Sequence, residues 1–274
     1  MTEIMSGWIY DILIEIDQQI GYVIYLCRVD FFSDTTTADG WTKFVQTGMS
    51  TVEGIALIIV SICFLLEFLK MTMKFEVLKW EFLFKVFFKL VLAKVCIDVS
   101  FDLLLAIYQT AIDWVADIGG EVPTVGTSVW KSIESTINDY DTLDMIGLVC
   151  STGILYLGIS LITLVIRIMV LCRMVEIVIY MALAPLPCAF LPLEDGGTSR
   201  IPKNYFINFA SLCLSGVVMM LALYLYGVVA DTFIINTMGS DPFTAIGGLF
   251  VATIILVLTM SKSGNIAKSI LSAG

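Results

Sequence analysis

Long apolar runs, separated by short polar or charged segments, dominate the chain. The first run is TVEGIALIIVSICFLLEFL at 51–69, and others follow at about 85–110, 145–172, 205–230 and 243–260. Each has about the length of apolar helix, roughly 20 residues, that crosses a bilayer. The pattern predicts an all-α polytopic membrane protein with five transmembrane helices.

The first 30 residues follow a different, amphipathic pattern. Between residues 4 and 27 the apolar side chains recur at helical spacing, and most acidic and amide side chains lie off that stripe. No Lys or Arg precedes Arg28, so the segment lacks the positive start of a signal peptide. The segment 1–30 is predicted to be an amphipathic helix on the outer side. It lies on the membrane surface or packs on a neighbouring subunit.

The apolar run at 174–193 contains three prolines, Pro185, Pro187 and Pro192. Proline removes a backbone donor and disfavours helix in the residue before it. We therefore expect a broken hairpin at 174–204, on the cytoplasmic side or re-entrant, instead of a full crossing. Either it is a kinked core helix, or it lines a pore, or Glu176, Pro185 and Pro187 contact another subunit.

The distribution of Lys and Arg residues orients these segments. With five crossings the cytoplasmic side carries 12 of them and the outside 3, whereas a sixth crossing gives 8 and 7. The positive-inside rule favours five. The chain then begins with the outer N-terminal helix and a polar loop at 30–50, followed by two transmembrane helices with a basic cytoplasmic turn at 51–112. An acidic external loop at 113–144 contains a short amphipathic helix. The remaining transmembrane helices lie at 145–260, and a cytoplasmic tail lies at 261–274.

Composition supports the membrane assignment and narrows the chemistry. Hydrophobic residues make up 58% of the chain and charged residues 15%, and the mean hydropathy is +0.94. Without a histidine, the chain cannot form a Ser-His-Asp triad or a histidine metal site. Its seven cysteines are widely spaced and fit small buried apolar side chains. We predict no enzyme activity, no metal and no cofactor.

Charged residues inside the predicted second span form a group of their own. Lys94, Asp98 and Asp102 are spaced i, i+4, i+8 on one helix face, and Arg167 of the third span is a candidate partner for an acid. Charge inside a membrane is costly and usually faces protein or water. The group is either a structural ion pair or the lining of a wetted pathway.

A basic and aromatic segment lies between Lys70 and Lys94. Cytoplasmic lysines attract anionic lipid, and aromatic rings settle at the interface. The predicted lipid-binding residues are Lys79, Lys85, Lys89 and Trp80. The alternatives are plain topology signals or a docking surface for a cytoplasmic ATPase.

The segment 173–230 resembles the signature region of TrbL-type polytopic membrane subunits of type IV secretion and conjugation machines, in the version found on Gram-positive integrative elements. The matching pieces are Arg173 with Glu176, the run ALAPLP at 182–187, a glycine turn, and Asn204-Tyr205 opening a long apolar helix. The resemblance implies a homo-oligomeric channel or scaffold subunit without catalytic residues. The partners it implies are further copies of itself and other secretion subunits, with transferred DNA contacted only indirectly. The basic segment between Lys70 and Lys94 adds anionic phospholipid and a cytoplasmic ATPase as predicted partners.

A stand-alone secondary transporter or ion channel is the alternative function. Asp98, Asp102 and the broken hairpin favour it, whereas the absence of a visible internal repeat weakens it.

Overall fold

The computed structural model describes residues 2–30, 32, 38–73, 80–118, 125–137, 142–193, 200–237 and 242–272. These residues form helices and turns without a strand, which confirms the all-α prediction. The predicted lipid ligand Lys79 lies outside the described residues, as do the side chains of Trp80 and Lys85. The helices are α1 (Thr2–Arg28), α2 (Ala38–Met73), α3 (Trp80–Ile118), α4 (Val125–Ile137), α5 (Thr142–Ala182), α6 (Pro185–Cys188), α7 (Arg200–Thr237) and α8 (Pro242–Ser272).

Four helical stretches of the described chain are long and apolar enough to cross a membrane, and the protein is a multi-pass membrane protein. They are Gly40–Met73, Leu143–Cys188, Arg200–Thr232 and Thr244–Leu271. The predicted second span, 85–110, lies within α3 but is not among the four. The number of five crossings therefore stays a prediction.

The polar segment 30–50, expected to be a loop, is helical from Ala38 onward. Val45 is fully buried, and Trp41 packs against the same apolar cluster. Tertiary packing of a single helix face stabilises helix in sequences of weak intrinsic propensity. The loop prediction for this part was wrong because it weighed polarity without these contacts.

The proline-containing segment also differs from its prediction. Helix α5 continues without interruption through Ala182, so residues 174–182 belong to α5 and not to a broken element. The break lies at Leu183 and Ala184, followed by the single turn α6. A proline disturbs only the turn before it, because its ring clashes with the carbonyl four residues earlier. Pro185 therefore ends the helix near Ala182 and has no effect on residue 174.

The chain folds into two compact units. Unit 1 comprises Met1–Val29, Asp113–Cys172 and Ser215–Ile266. Its core includes α1, whose apolar stripe is buried within the unit: Ile9, Leu13, Ile16, Ile20, Val23 and Ile24. The stripe is covered by the chain itself, notably by α4. These buried residues therefore face neither a membrane surface nor a neighbouring subunit, whereas Trp8 of the predicted stripe is exposed, and the placement of α1 on the outer side stays a prediction.

Unit 2 comprises Asp30–Ile112, Arg173–Leu214 and Ala267–Gly274. In one cluster Val45 of α2, Tyr108 of α3 and Phe209 of α7 surround the end of α5. In a second cluster α6 packs against the middle of α2 and α3, with these buried residues: Ala56, Val60, Ala93, Ile97, Cys188 and Ala189. The short α6 is thus covered by its own chain.

Helix α2 and the α5–α6 segment run in the same direction within unit 2. A Cβ on Gly48 would lie 3.4 Å from the Cβ of Ala182, and Cys188 clusters with Ala56 and Val60 further along α2. The end of α5 therefore lies beside the start of α2, although the five-crossing topology puts them on opposite sides of the membrane. The charge count behind that topology treats each apolar run as one crossing, whereas α5 is much longer than one crossing requires. At 1.5 Å per residue, the 41 residues of α5 measure about 60 Å, twice the bilayer core.

Candidate functional site

The hairpin of α5, α6 and the start of α7 is the most tightly connected part of unit 2. At the break, the Ala184 amide donates to Met181 O instead of Tyr180 O, because Pro185 cannot donate to Met181. The Tyr205 hydroxyl donates to the Tyr180 carbonyl, replacing the lost helical bond. The two tyrosine rings lie 5.1 Å apart. Tyr205 thus ties α7 to the broken end of α5.

Arg173 makes a second connection between the same two helices. Its Nε donates to Leu212 O at 3.0 Å, and its Nη2 donates to Cys213 O at 2.8 Å. A charged donor strengthens such bonds to roughly twice the strength of neutral ones. Arg173 and Tyr205 belong to the segment that carries the family resemblance, and here they hold the base of the hairpin together.

The predicted hairpin contacts divide into two groups. Pro185 and Pro187 are buried within unit 2, whereas Glu176 is exposed on α5. The sequence predicts a contact with a neighbouring subunit because an apolar, irregular segment at membrane depth needs to be covered by protein. Helices α2 and α3 supply that cover, so the two prolines no longer require another subunit.

The predicted intramembrane charges are partly brought together. Lys94 Nζ lies 3.5 Å from Asp98 Oδ1, with both side chains about half exposed. Asp102 is exposed one turn further along α3. Arg167, in unit 1, has its guanidinium 4.8 Å from the centre of the Tyr22 ring, a cation–π contact. The structure thus gives Lys94 and Arg167 separate local partners.

A groove lies between α2 and α3 beside the Lys94–Asp98 pair. It has a volume of about 320 Å³ and is lined by Leu57, Val60, Ser61, Leu90, Val91, Lys94 and Val95. The Ser61 hydroxyl is already bonded to Leu57 O, so the charged group of the lining is Lys94, which also pairs with Asp98. An apolar slot next to a cation has the chemistry of an acyl chain beside an anionic headgroup.

The start of α3 carries exposed aromatic rings near Lys89. Phe84 is 70% exposed and Phe88 is 68% exposed, whereas Phe87 packs on Phe64 of α2 at 5.7 Å. Exposed rings in a membrane helix are suited to contact with lipid or with another apolar surface. This end of α3 is therefore both basic and open.

Sequence reasoning missed one intramembrane acid, Glu67 of α2. It is only 6% exposed, and within the described residues its Oε2 has no hydrogen-bond partner. Helical periodicity could have indicated that Glu67 is buried, because it follows the buried Val60 and Cys63 at i+7 and i+4 on one helix face. A pattern that scores only runs of apolar residues does not register it.

In unit 1 the contact between α1 and α4 is centred on Asp17. Its carboxylate accepts hydrogen bonds from the Gly126 amide at 2.7 Å, the Thr127 amide at 3.0 Å and the Thr127 hydroxyl at 3.1 Å. These amides lie in the first turn of α4, where no helical acceptor exists, so Asp17 caps α4 from another helix. Burial raises the pKa of the Asp17 carboxyl, and the three hydrogen bonds offset part of that rise.

Gly126 permits the close approach of the two helices. A Cβ at this position would lie 2.2 Å from the carbonyl oxygen of Leu13, which belongs to the backbone and cannot rotate away. Only glycine fits there without moving α1 or α4.

A polar cluster joins α1 to the apolar helix α5. Gln19 Nε2 donates to Tyr156 at 3.4 Å and to Ser160 at 3.3 Å, and the Thr163 hydroxyl donates to Gln19 Oε1 at 2.8 Å. The partly buried amide is satisfied at both ends, as a polar group removed from water requires. With Asp17, it anchors α1 inside unit 1.

No group of three or more metal-ligating side chains occurs in the described part of the chain.

Residues 39–185 match the family model described as TrbL/VirB6 plasmid conjugal transfer like protein. The match covers 147 of the 274 residues. Only 173–185 is common to that match and to the segment 173–230 that carries the resemblance. No curated protein and no solved structure matches the chain.

Proposed function

The chain belongs to the TrbL/VirB6 plasmid conjugal transfer-like family, and on this premise we propose that it is a non-catalytic membrane subunit of a conjugative type IV secretion apparatus. The single observation that carries this proposal is the family match over more than half of the chain. In the proposed role it assembles as a homo-oligomeric channel or scaffold and contacts other secretion subunits, including a cytoplasmic ATPase. In this role the protein contacts transferred DNA only indirectly, through other subunits of the apparatus.

Apolar surface supports self-assembly in the membrane. Leu157, Leu161, Leu164 and Ile168 of α5 are each more than half exposed and follow one another at helical spacing. A stripe of this kind needs lipid or a second subunit as cover. The polar Lys94–Asp98 pair is half exposed and close to charge-neutral, which suits contact with another subunit better than transport of an ion. Family membership likewise favours this function over the stand-alone transporter or ion channel.

We also propose that anionic phospholipid binds at the α2–α3 groove. An acyl chain would occupy the slot lined by Leu57, Val91 and Lys94. The anionic headgroup would extend toward Lys89 at the start of α3, where Phe84 and Phe88 are exposed. Replacing Lys79, Lys85 and Lys89 with Gln is expected to lower co-purifying phosphatidylglycerol or cardiolipin. Lysines that serve only as topology signals would leave the lipid content, measured by mass spectrometry, unchanged.

For the orientation we propose an outer N-terminus and a cytoplasmic C-terminus, supported by the charge count. The contacts of unit 2 favour a re-entrant hairpin over a cytoplasmic one, since α6 packs at the middle of α2. An impermeant thiol reagent applied to intact cells should not label a cysteine at Ser272 in a background without native cysteines. Labelling there would contradict the orientation.

Assembly is tested by the mass of the extracted particle. The proposal predicts a ring or cluster of several copies in nanodiscs by mass photometry and electron cryomicroscopy. Copies that stay monomeric in native-lipid nanodiscs, at the concentration of the cell membrane, would contradict the homo-oligomer.

A further inference from the structure

Two cysteines meet in unit 2 although 92 residues separate them in the chain. Cys96 lies on α3 and Cys188 is the last residue of α6, and their Sγ atoms are 2.9 Å apart. Both are free thiols, with Cys188 buried and Cys96 partly buried. Neither belongs to a CxxC motif, so sequence spacing gave no sign of the pair.

The surrounding packing holds the two sulfurs close to each other. Ala93 and Ile97 flank Cys96 on the buried face of α3, and Ala189 follows Cys188, all in one cluster. The turn of α6 is closed by bonds from Ala189 N to Leu186 O and from Leu191 N to Cys188 O. A disulfide requires a sulfur separation of about 2.05 Å, so the two sulfurs need to approach by less than about 1 Å. Small rotations of the two side chains supply that movement.

We propose that Cys96 and Cys188 form a redox-active dithiol pair that takes up oxidising equivalents from a disulfide-type oxidant and thereby bonds α6 to α3. The Cys96 thiolate, the more accessible of the two, attacks one sulfur of the oxidant's disulfide and releases the first thiol. The Cys188 thiolate then attacks Cys96 in the mixed disulfide and releases the second thiol. The protein gains one disulfide, and the oxidant is reduced to two thiols.

The bond would fix the hairpin against α3. In the reduced protein, α6 is held by packing and by the Tyr205 and Arg173 bonds at the base of the hairpin. In the oxidised protein, its far end is attached covalently as well. Local opening of residues 183–193 then becomes rarer, so the oxidation state sets the mobility of the hairpin.

The experiment uses the full chain in nanodiscs and the small apolar oxidant 2,2′-dithiodipyridine. After oxidation and blocking of remaining thiols, non-reducing digestion and mass spectrometry identify each cysteine product. We expect a 96–188 disulfide to form in the wild type. In Cys188→Ser, which lacks the second thiol, Cys96 should instead retain the thiopyridyl group. Cys172→Ser, at an exposed position, is the matched control and should leave the disulfide unchanged.

Two results would overturn the proposal. One is a stable thiopyridyl adduct on Cys96 in the wild type. The other is an unreacted pair under conditions that modify the exposed Cys150 and Cys172. Hydrogen exchange of residues 183–193 provides a second readout that does not depend on a variant folding. It should slow on oxidation, and equal exchange in both states would refute the effect on the hairpin.

Discussion

Replacing Gly126 with alanine tests the α1–α4 contact most sharply. The added Cβ would lie 2.2 Å from the Leu13 carbonyl oxygen and 3.2 Å from Asp17 Cγ. Both atoms belong to α1, the helix that faces Gly126, so α4 has to move away from α1. Overpacking of this kind costs about 1–3 kcal/mol. The shift would also lengthen the hydrogen bonds to Asp17, and bonds to a charged group contribute about 1.5–3 kcal/mol.

These two effects overlap, because the same movement relieves the clash and breaks the bonds. We therefore expect a net loss of about 2 kcal/mol in the local stability of α4. Since each 1.4 kcal/mol is about a factor of ten in an equilibrium constant, amide exchange in 125–137 should accelerate by at least tenfold. Hydrogen exchange with mass spectrometry on the protein in nanodiscs measures this directly.

Gly7→Ala is the matched control. Gly7 lies on α1, and a Cβ there meets nothing within 4 Å. The same substitution should not accelerate the exchange of 125–137, because the added methyl group displaces nothing and alanine favours the α1 helix by about 1 kcal/mol. If Gly126→Ala exchanged no faster than Gly7→Ala, the close approach of α1 and α4 would be wrong.

Three further substitutions test other polar contacts of the two units. Because burial raises the pKa of Asp17, the native state holds its proton more tightly than the unfolded chain does, so the stability of unit 1 should fall as pH rises from about 4 through the raised pKa. Asp17→Asn should remove that slope in thermal unfolding, and an unchanged slope would assign it to another group. Tyr205→Phe leaves the Tyr180 carbonyl without a partner, which should cost about 1–3 kcal/mol in thermal unfolding, whereas exposed Tyr224→Phe should cost nothing measurable. Gln19→Leu should likewise destabilise the α1–α5 contact by about 1–3 kcal/mol, because the hydrogen bonds of Gln19 to Tyr156, Ser160 and Thr163 are lost, and exchange of the α1 amides equal to wild type would refute the cluster.

The sequence was sufficient for the features that depend on local pattern. Apolar runs of about 20 residues predict membrane helices because an unsatisfied backbone is too costly in lipid. The amphipathic stripe of α1 and the helix within 113–144 were predicted on the same basis, since helical spacing is visible in a short window. The proline break was predicted as well, but its start was placed at 174 because the whole apolar run was assigned to one element.

What the sequence could not supply are contacts between distant segments. The partners of Asp17 are 109 and 110 residues away, and those of Gln19 are 137 to 144 residues away. Charge spacing along one helix did predict the Lys94–Asp98 pair, because i, i+4 neighbours share a face. It could not assign Arg167 to Tyr22, since that contact depends on how α1 and α5 pack.

We propose that this protein is a membrane subunit needed for conjugal transfer. The most direct measurement is the transfer frequency from a donor in which its gene has been deleted, with the wild-type chain or Gly126→Ala supplied from a second locus. We expect that deletion abolishes transfer, that the wild-type chain restores it, and that Gly126→Ala restores less than Gly7→Ala at equal membrane abundance. Transfer at the wild-type frequency from the deleted donor would contradict it.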